Sequence, residues 1–80
     1  MTIAKRLIQL REENRLGQKD VAKVLNIGQS SYSKYERGIV VVPIDNLCKI
    51  ADFYKVSLDY LVSRTNIKSP YPTLDKKLQT

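Results

Sequence analysis

The feature that most constrains this chain is a pair of short helical patterns, QKDVAKVL and QSSYSKYER, held apart by the three residues Asn26, Ile27 and Gly28. In the first pattern Val21, Ala22 and Leu25 fall on one side while Lys19 and Lys23 point to water. In the second, Tyr32 and Tyr35 recur three apart and leave Gln29, Ser30, Ser33, Lys34 and Arg37 on the remaining surface. Asn26 tolerates a left-handed backbone and stops the first helix, with Ile27 turning inward. Gly28 is a usable but second-rank N-cap for the second helix, which Gly38 closes. Serine forms helices only moderately, so local propensity alone does not place a cluster of them on an exposed helical face.

Three further helices complete the pattern. From Ile3, the residues Ile3, Leu7 and Leu10 make one apolar stripe, with Lys5, Arg6, Gln9, Glu12 and Glu13 facing elsewhere. Thr2 caps its start, and Leu16-Gly17 ends it through the glycine. Ile39 to Val42 reads as an extended connector bounded by Gly38 and Pro43. After Pro43 a helix carries Leu47, Ile50, Ala51 and Tyr54 inward, with Asp45 in its first turn beside the positive helix end. Cys48, next to Leu47, reads as a small apolar filler. Lys55-Val56 breaks this helix, and Ser57 caps a last short one whose Leu58 and Leu61 close the core. Residues 63–80 carry Pro, Lys and no sustained stripe, and are expected to form a mobile or partner-ordered tail beyond a domain spanning 1–62.

Eighty residues make one domain, and a chain of this size has to build a compact core. Fourteen Lys plus Arg against eight Asp plus Glu leave a net charge of +6, which suits a polyanion but also simply keeps a small protein soluble. The single cysteine has no partner and no metal-type spacing, which fits a reducing, cytoplasmic setting. No apolar run reaches the roughly 18 residues of a membrane span, and the first residues lack the order of a signal peptide. With no histidine and no phosphate-cradling glycine loop, nothing supports catalysis, a metal, a cofactor or a small-molecule effector.

Two short helices joined by three residues, with Ala22 allowing their backbones close together, form the physical pattern of a helix-turn-helix. That geometry projects the second helix into the major groove of double-stranded DNA. There Gln29 suits paired contacts to adenine, Ser30 and Ser33 donate or accept, and Lys34 reaches a guanine edge or a phosphate. Gln18, Lys19 and Arg37 suit phosphates that set the register. The same side chains would equally furnish an ordinary solvated helix face.

Residues 3–62, about three quarters of the chain, resemble the Cro and phage-repressor type of helix-turn-helix domain. The resemblance runs through IAKRLIQLREENRLGQKDVAKVLNIGQSSYSKYERG and VPIDNLCKIADFYKVSLDYL. It implies an all-α, five-helix unit of the lambda-repressor-like kind, in a bacterial or phage regulator. It also implies that Gln18 touches a phosphate and that Gln29, Ser30, Ser33 and Lys34 read bases. Arg11 and Glu36 would form a partly buried ion pair tying the first helix to the third. Asn26, Gly28 and Tyr32 stand where glycine, Ser or Thr, and Ile or Val are usual, which leaves the operator sequence open.

The aliphatic run Ile39 to Val42 is too apolar for a purely solvated loop. It either covers part of the core or supplies an apolar patch across a two-fold axis. The resemblance implies dimerisation on DNA through the loop after the third helix and the region joining the fourth and fifth, so the expectation is a weak homodimer through Val40, Val41 and Val42, helped by Val56, Leu58 and Asp59. The implied function is repression by steric occlusion of a promoter at a palindromic operator. The alternative is a protein-interaction module, such as an antitoxin, holding a toxin or another regulator through its basic face or its tail.

Overall fold

The computed structural model describes residues 2–68. Five helices follow one another: α1 (Ile3–Glu13), α2 (Gln18–Leu25), α3 (Gln29–Glu36), α4 (Ile44–Tyr54) and α5 (Leu58–Leu61). This is the all-α, five-helix architecture expected, with the helix-turn-helix formed by α2 and α3. Thr2 opens α1 by accepting the Lys5 N–H at 3.1 Å, and Ser57 opens α5 by accepting the Tyr60 N–H at 3.0 Å. Either cap is worth about 1 kcal/mol.

All five helices end in the same way. A residue with positive φ follows each one: Arg15 (56°), Asn26 (58°), Gly38 (71°), Lys55 (58°) and Ser63 (70°). In each case the next N–H reaches back five residues to a helix carbonyl, as Leu16 to Arg11 and Ile27 to Ala22, both at 3.0 Å. These bonds satisfy carbonyls that a helix end otherwise leaves open. The expectation that Gly17 terminates α1 is therefore corrected. Arg15 takes the left-handed turn, while Gly17 is extended at φ −90° and precedes α2, its N–H bound to Asp20 Oδ2 at 2.7 Å.

Leu7, Val21, Tyr32, Ile50 and Leu61 are fully buried and form the centre of the core. α2 packs on α3 and α4, and α1 packs on α3 and α5, so the α2–α3 pair is supported from behind on both sides. Tyr32 and Tyr35 meet edge to face at 6.1 Å, and Tyr35 Oη accepts from Asn46 Nδ2 at 2.9 Å, fastening α3 to α4.

Two residues sit differently from expectation. Arg6 is buried rather than outward, its guanidinium stacked 3.8 Å from the centre of the Tyr60 ring; the arginine stem fills the α1–α5 seam while the ring face compensates its charge. Cys48 is exposed, because on α4 the inward stripe runs through Leu47, Ile50 and Ala51 and turns position 48 away. Leu58 packs half-buried against the core as expected, and the addition at this end is Tyr60, buried beside Leu61.

The body of the domain also extends past residue 62. The Ser57 N–H bonds the Lys68 carbonyl at 2.9 Å, and Lys68 Nζ reaches Glu13 at 3.1 Å. Residues 63–68, expected to begin the tail, lie against α1 and α5. The rest of that tail, 69–80, falls outside the described residues.

Candidate nucleic-acid interface

The start of α3 is open to solvent. Gly28 is extended at φ −73°, no side chain caps the helix, and a Cβ at this glycine would meet nothing within 4 Å. The first-turn amides of α3 are thus free of helix partners and present a partial positive charge outward. Gln29, Ser30 and Lys34 are exposed on this helix, and Ser33 is half-buried at the edge of the same surface. Ser31, which sequence reasoning passed over, is exposed beside them. The signal was present, since nothing between Gln29 and Tyr32 is apolar and the entire first turn faces out.

A cleft of about 480 Å³ runs alongside, between α2 and the start of α3. Lys19, Lys23, Asn26 and Gln29 line it, with Ala22 and Ile27 also on its wall. Two lysines against the one carboxylate of Asp20, which accepts the Gly17 N–H, leave the cleft net basic. Lys23, expected to point to water, and Asn26, expected at the turn, both stand on this wall.

Behind this surface Arg11 holds Glu36 with two parallel bonds, Nε to Oε2 at 2.7 Å and Nη2 to Oε1 at 3.0 Å. Arg11 Nη1 also donates to the Leu16 carbonyl at 3.0 Å. Gln18 Nε2 adds a third bond to the Glu36 carboxylate at 3.0 Å. The carboxylate is nearly inaccessible, and burial works to raise its pKa, but the hydrogen bonds led by Arg11 outweigh this and hold it below the ordinary range. The same pair raises the Arg11 pKa, chiefly through its hydrogen bond to Glu36. Gln18, half-buried at the start of α2, therefore commits one amide hydrogen to the scaffold. Lys19 and Arg37 are exposed at the start of α2 and just past the end of α3.

The residues expected to form a dimer contact do not share one surface. Val42 and Val56 are core residues, 7% and 6% exposed, because each follows a turn that folds its side chain under the helices. Val40 and Val41 stand out into solvent, at 41% and 90% exposure, and Asp59 is exposed on α5. What accompanies Val40 and Val41 is the start of α1, where Ile3, Ala4 and Ile8 complete an apolar groove of about 730 Å³. Among the described residues, no group of His, Cys, Asp or Glu could hold a metal ion, and no helix is long and apolar enough to cross a membrane.

Comparison with known proteins agrees with this geometry. The chain is 36% identical over 73 residues to the HTH-type transcriptional regulator ImmR of Bacillus subtilis, covering 91% of this chain and 58% of that protein. It is 38% identical over 64 residues to the cryptic phage CTXphi transcriptional repressor RstR of Vibrio cholerae, covering 80% and 57% respectively. The chain thus spans a little over half the length of these curated relatives. A crystal structure of a transcriptional regulator from Listeria innocua superposes with a TM-score of 0.76 over 98% of this chain and 71% of that one; at 24% identity it speaks for the fold alone. The helix-turn-helix family model matches residues 7–61, from α1 through α5, and the chain belongs to that family.

Proposed function

We propose that this protein is a transcriptional regulator that reads a specific sequence in double-stranded DNA. The observation that carries the reading is the open start of α3, where Gln29, Ser30 and Lys34 project from a helix whose back is fixed by Arg11, Glu36 and Gln18. In the major groove Gln29 suits an adenine edge, Ser30 and Ser33 adjacent donors and acceptors, and Lys34 a guanine or a phosphate. Gln18, Lys19 and Arg37, with Lys23 beside them, hold the backbone. The chain acts as a repressor in the cytoplasm, where a homodimer on a near-palindromic operator occludes a promoter. Its half-sites lie about 34 Å apart, one helical turn. The repressor role finds support in the relative RstR, itself named a repressor.

A salt titration with paired duplexes tests the reading. Gln29→Ala and Lys34→Ala should remove discrimination between the preferred and a scrambled duplex, while the salt-dependent affinity common to both largely persists. Equal discrimination in wild type and variants would place the reading surface elsewhere.

A further inference from the structure

The groove between the start of α1 and the α3–α4 loop has a volume of about 730 Å³. Ile3, Ala4 and Ile8 line it from α1, and Tyr35, Val41 and Leu47 from α3, the loop and α4. Small-molecule sites run about 300–1,000 Å³ and pair an apolar interior with a few placed polar groups, a description this groove meets. Its placed groups are cations. Lys5 and Arg37 line the groove, stand exposed, and make no ion pair among the described residues. The carboxylate beside them, Glu36, is enclosed, its side chain 3% exposed and bound by Arg11 and Gln18. No acidic residue stands in the first turn of α1, so the positive end of that helix adds to the two side chains.

We propose that this groove binds an amphipathic carboxylate, an aliphatic chain with one anionic end, and that its occupancy weakens DNA binding. The chain lies along the apolar walls while the carboxylate meets Arg37 and Lys5. Arg37 couples the two sites. It caps the end of α3 and is the same residue assigned above to a DNA phosphate, so a carboxylate held there competes with DNA for one guanidinium. By linkage, DNA and carboxylate weaken each other's binding by the same factor. The regulatory half rests on the DNA reading proposed above; the binding half does not. Charge separates this occupant from the two that the chain itself could supply. A second copy seated in the groove would set its own Lys5 and Arg37 against these, and residues 69–80 would bring Lys76 and Lys77 against a single Asp75.

Titration of the isotope-labelled full chain with sodium decanoate, below its micellar concentration and against sodium acetate at equal ionic strength, tests this. Saturable amide shifts should gather at Ile3–Ile8 and Arg37–Val42. Octanoate, two methylenes shorter, should bind about tenfold more weakly, and so should decanol, which keeps the chain and lacks the charge. Val41→Asp should weaken decanoate about tenfold, yet keep its urea midpoint because Val41 is 90% exposed, which separates loss of the site from loss of fold. Saturating decanoate should weaken duplex binding and lower the slope of log affinity against log salt by about 1 in wild type, and do neither in Arg37→Gln. No saturable shift, shifts spread over all five helices, or decanol binding as tightly as decanoate overturns the proposal. So do contacts in the free protein between Ile8 and either a second copy or residues 69–80, since the groove is then already filled. Sequence selection from a randomised duplex pool that decanoate leaves untouched removes the coupling and leaves the DNA reading standing. Decanoate bound at the groove of a protein that selects no duplex keeps the ligand site and removes the DNA reading.

Discussion

Arg11 and Glu36, twenty-five residues apart in sequence, are locked together by two parallel hydrogen bonds of 2.7 and 3.0 Å, and this pair joins α1 to the end of α3. Gln18 brings the start of α2 to the same carboxylate, so three helices converge on one buried charge. The orientation of Gln29, Ser30 and Lys34 is thereby set from behind the surface that carries them.

Glu36→Ala should cost about 3–5 kcal/mol, because it leaves the Arg11 guanidinium without its partner in a largely enclosed site. The urea midpoint should fall well below wild type, with loss of DNA binding following from loss of structure. An unchanged midpoint would show that the pair is dispensable for the fold.

The pair also sets a pH dependence. In the unfolded chain Glu36 protonates as pH falls through its ordinary value of 4.5, whereas in the folded chain it resists to lower pH. Between those two values the unfolded chain binds more protons, so stability rises with pH there. The contribution is fully present above 4.5 and is lost as pH falls through the depressed folded value. Urea midpoints measured down an acid series should show this slope in wild type and a flatter one in Glu36→Gln. Glu13 is shifted in the same direction by Gln9 and Lys68, but it is exposed and adds little.

Arg15 and Lys55 hold left-handed backbones that cost a side-chain-bearing residue about 1–2 kcal/mol. Glycine relieves that strain but loses more entropy on folding, so Arg15→Gly and Lys55→Gly should each stabilise by a net 0.5–1 kcal/mol or about that. Gly38→Ala should destabilise by about 1 kcal/mol through conformation alone, since its Cβ would sit at an ordinary 3.8 Å from Ala4 Cβ. Thermal or urea midpoints moving in the opposite directions would contradict the shared helix ending.

Lys19→Ala and Lys23→Ala, at the cleft beside Gln29, should weaken DNA binding about equally for preferred and scrambled duplexes. Each should reduce the slope of log affinity against log salt by about 1. A change in sequence preference instead would assign these lysines to base reading.

The fold was legible because apolar spacing reports helices directly: Val21, Ala22 and Leu25, or Leu47, Ile50 and Ala51, can be buried together only on a helix. What escaped was of another kind. The helix end at Arg15 carries no glycine to announce it, and even at Lys55, where the break was legible, the hydrogen bonds that accompany the left-handed turn are visible only in three dimensions. Arg6 looked like a solvent residue because its burial depends on Tyr60, far along the chain. Cys48 looked apolar by composition, yet lies about 100° around the helix from Leu47. On the candidate site, Gln29, Ser30 and Lys34 could be read as outward from the positions of Tyr32 and Tyr35 alone. The link from Gln18 to Glu36, and the groove that Val41 lines together with Ile3 and Ile8, arise from the packing of elements distant in sequence and leave no local trace.

Selection of bound duplexes from a randomised pool, using the full chain at physiological salt and sequencing the retained fraction, tests the central claim most directly. Enrichment of an inverted repeat with half-sites one helical turn apart, lost in Gln29→Ala, is the result expected of a dimer that reads DNA through α3. A folded, soluble protein that enriches no sequence would contradict it.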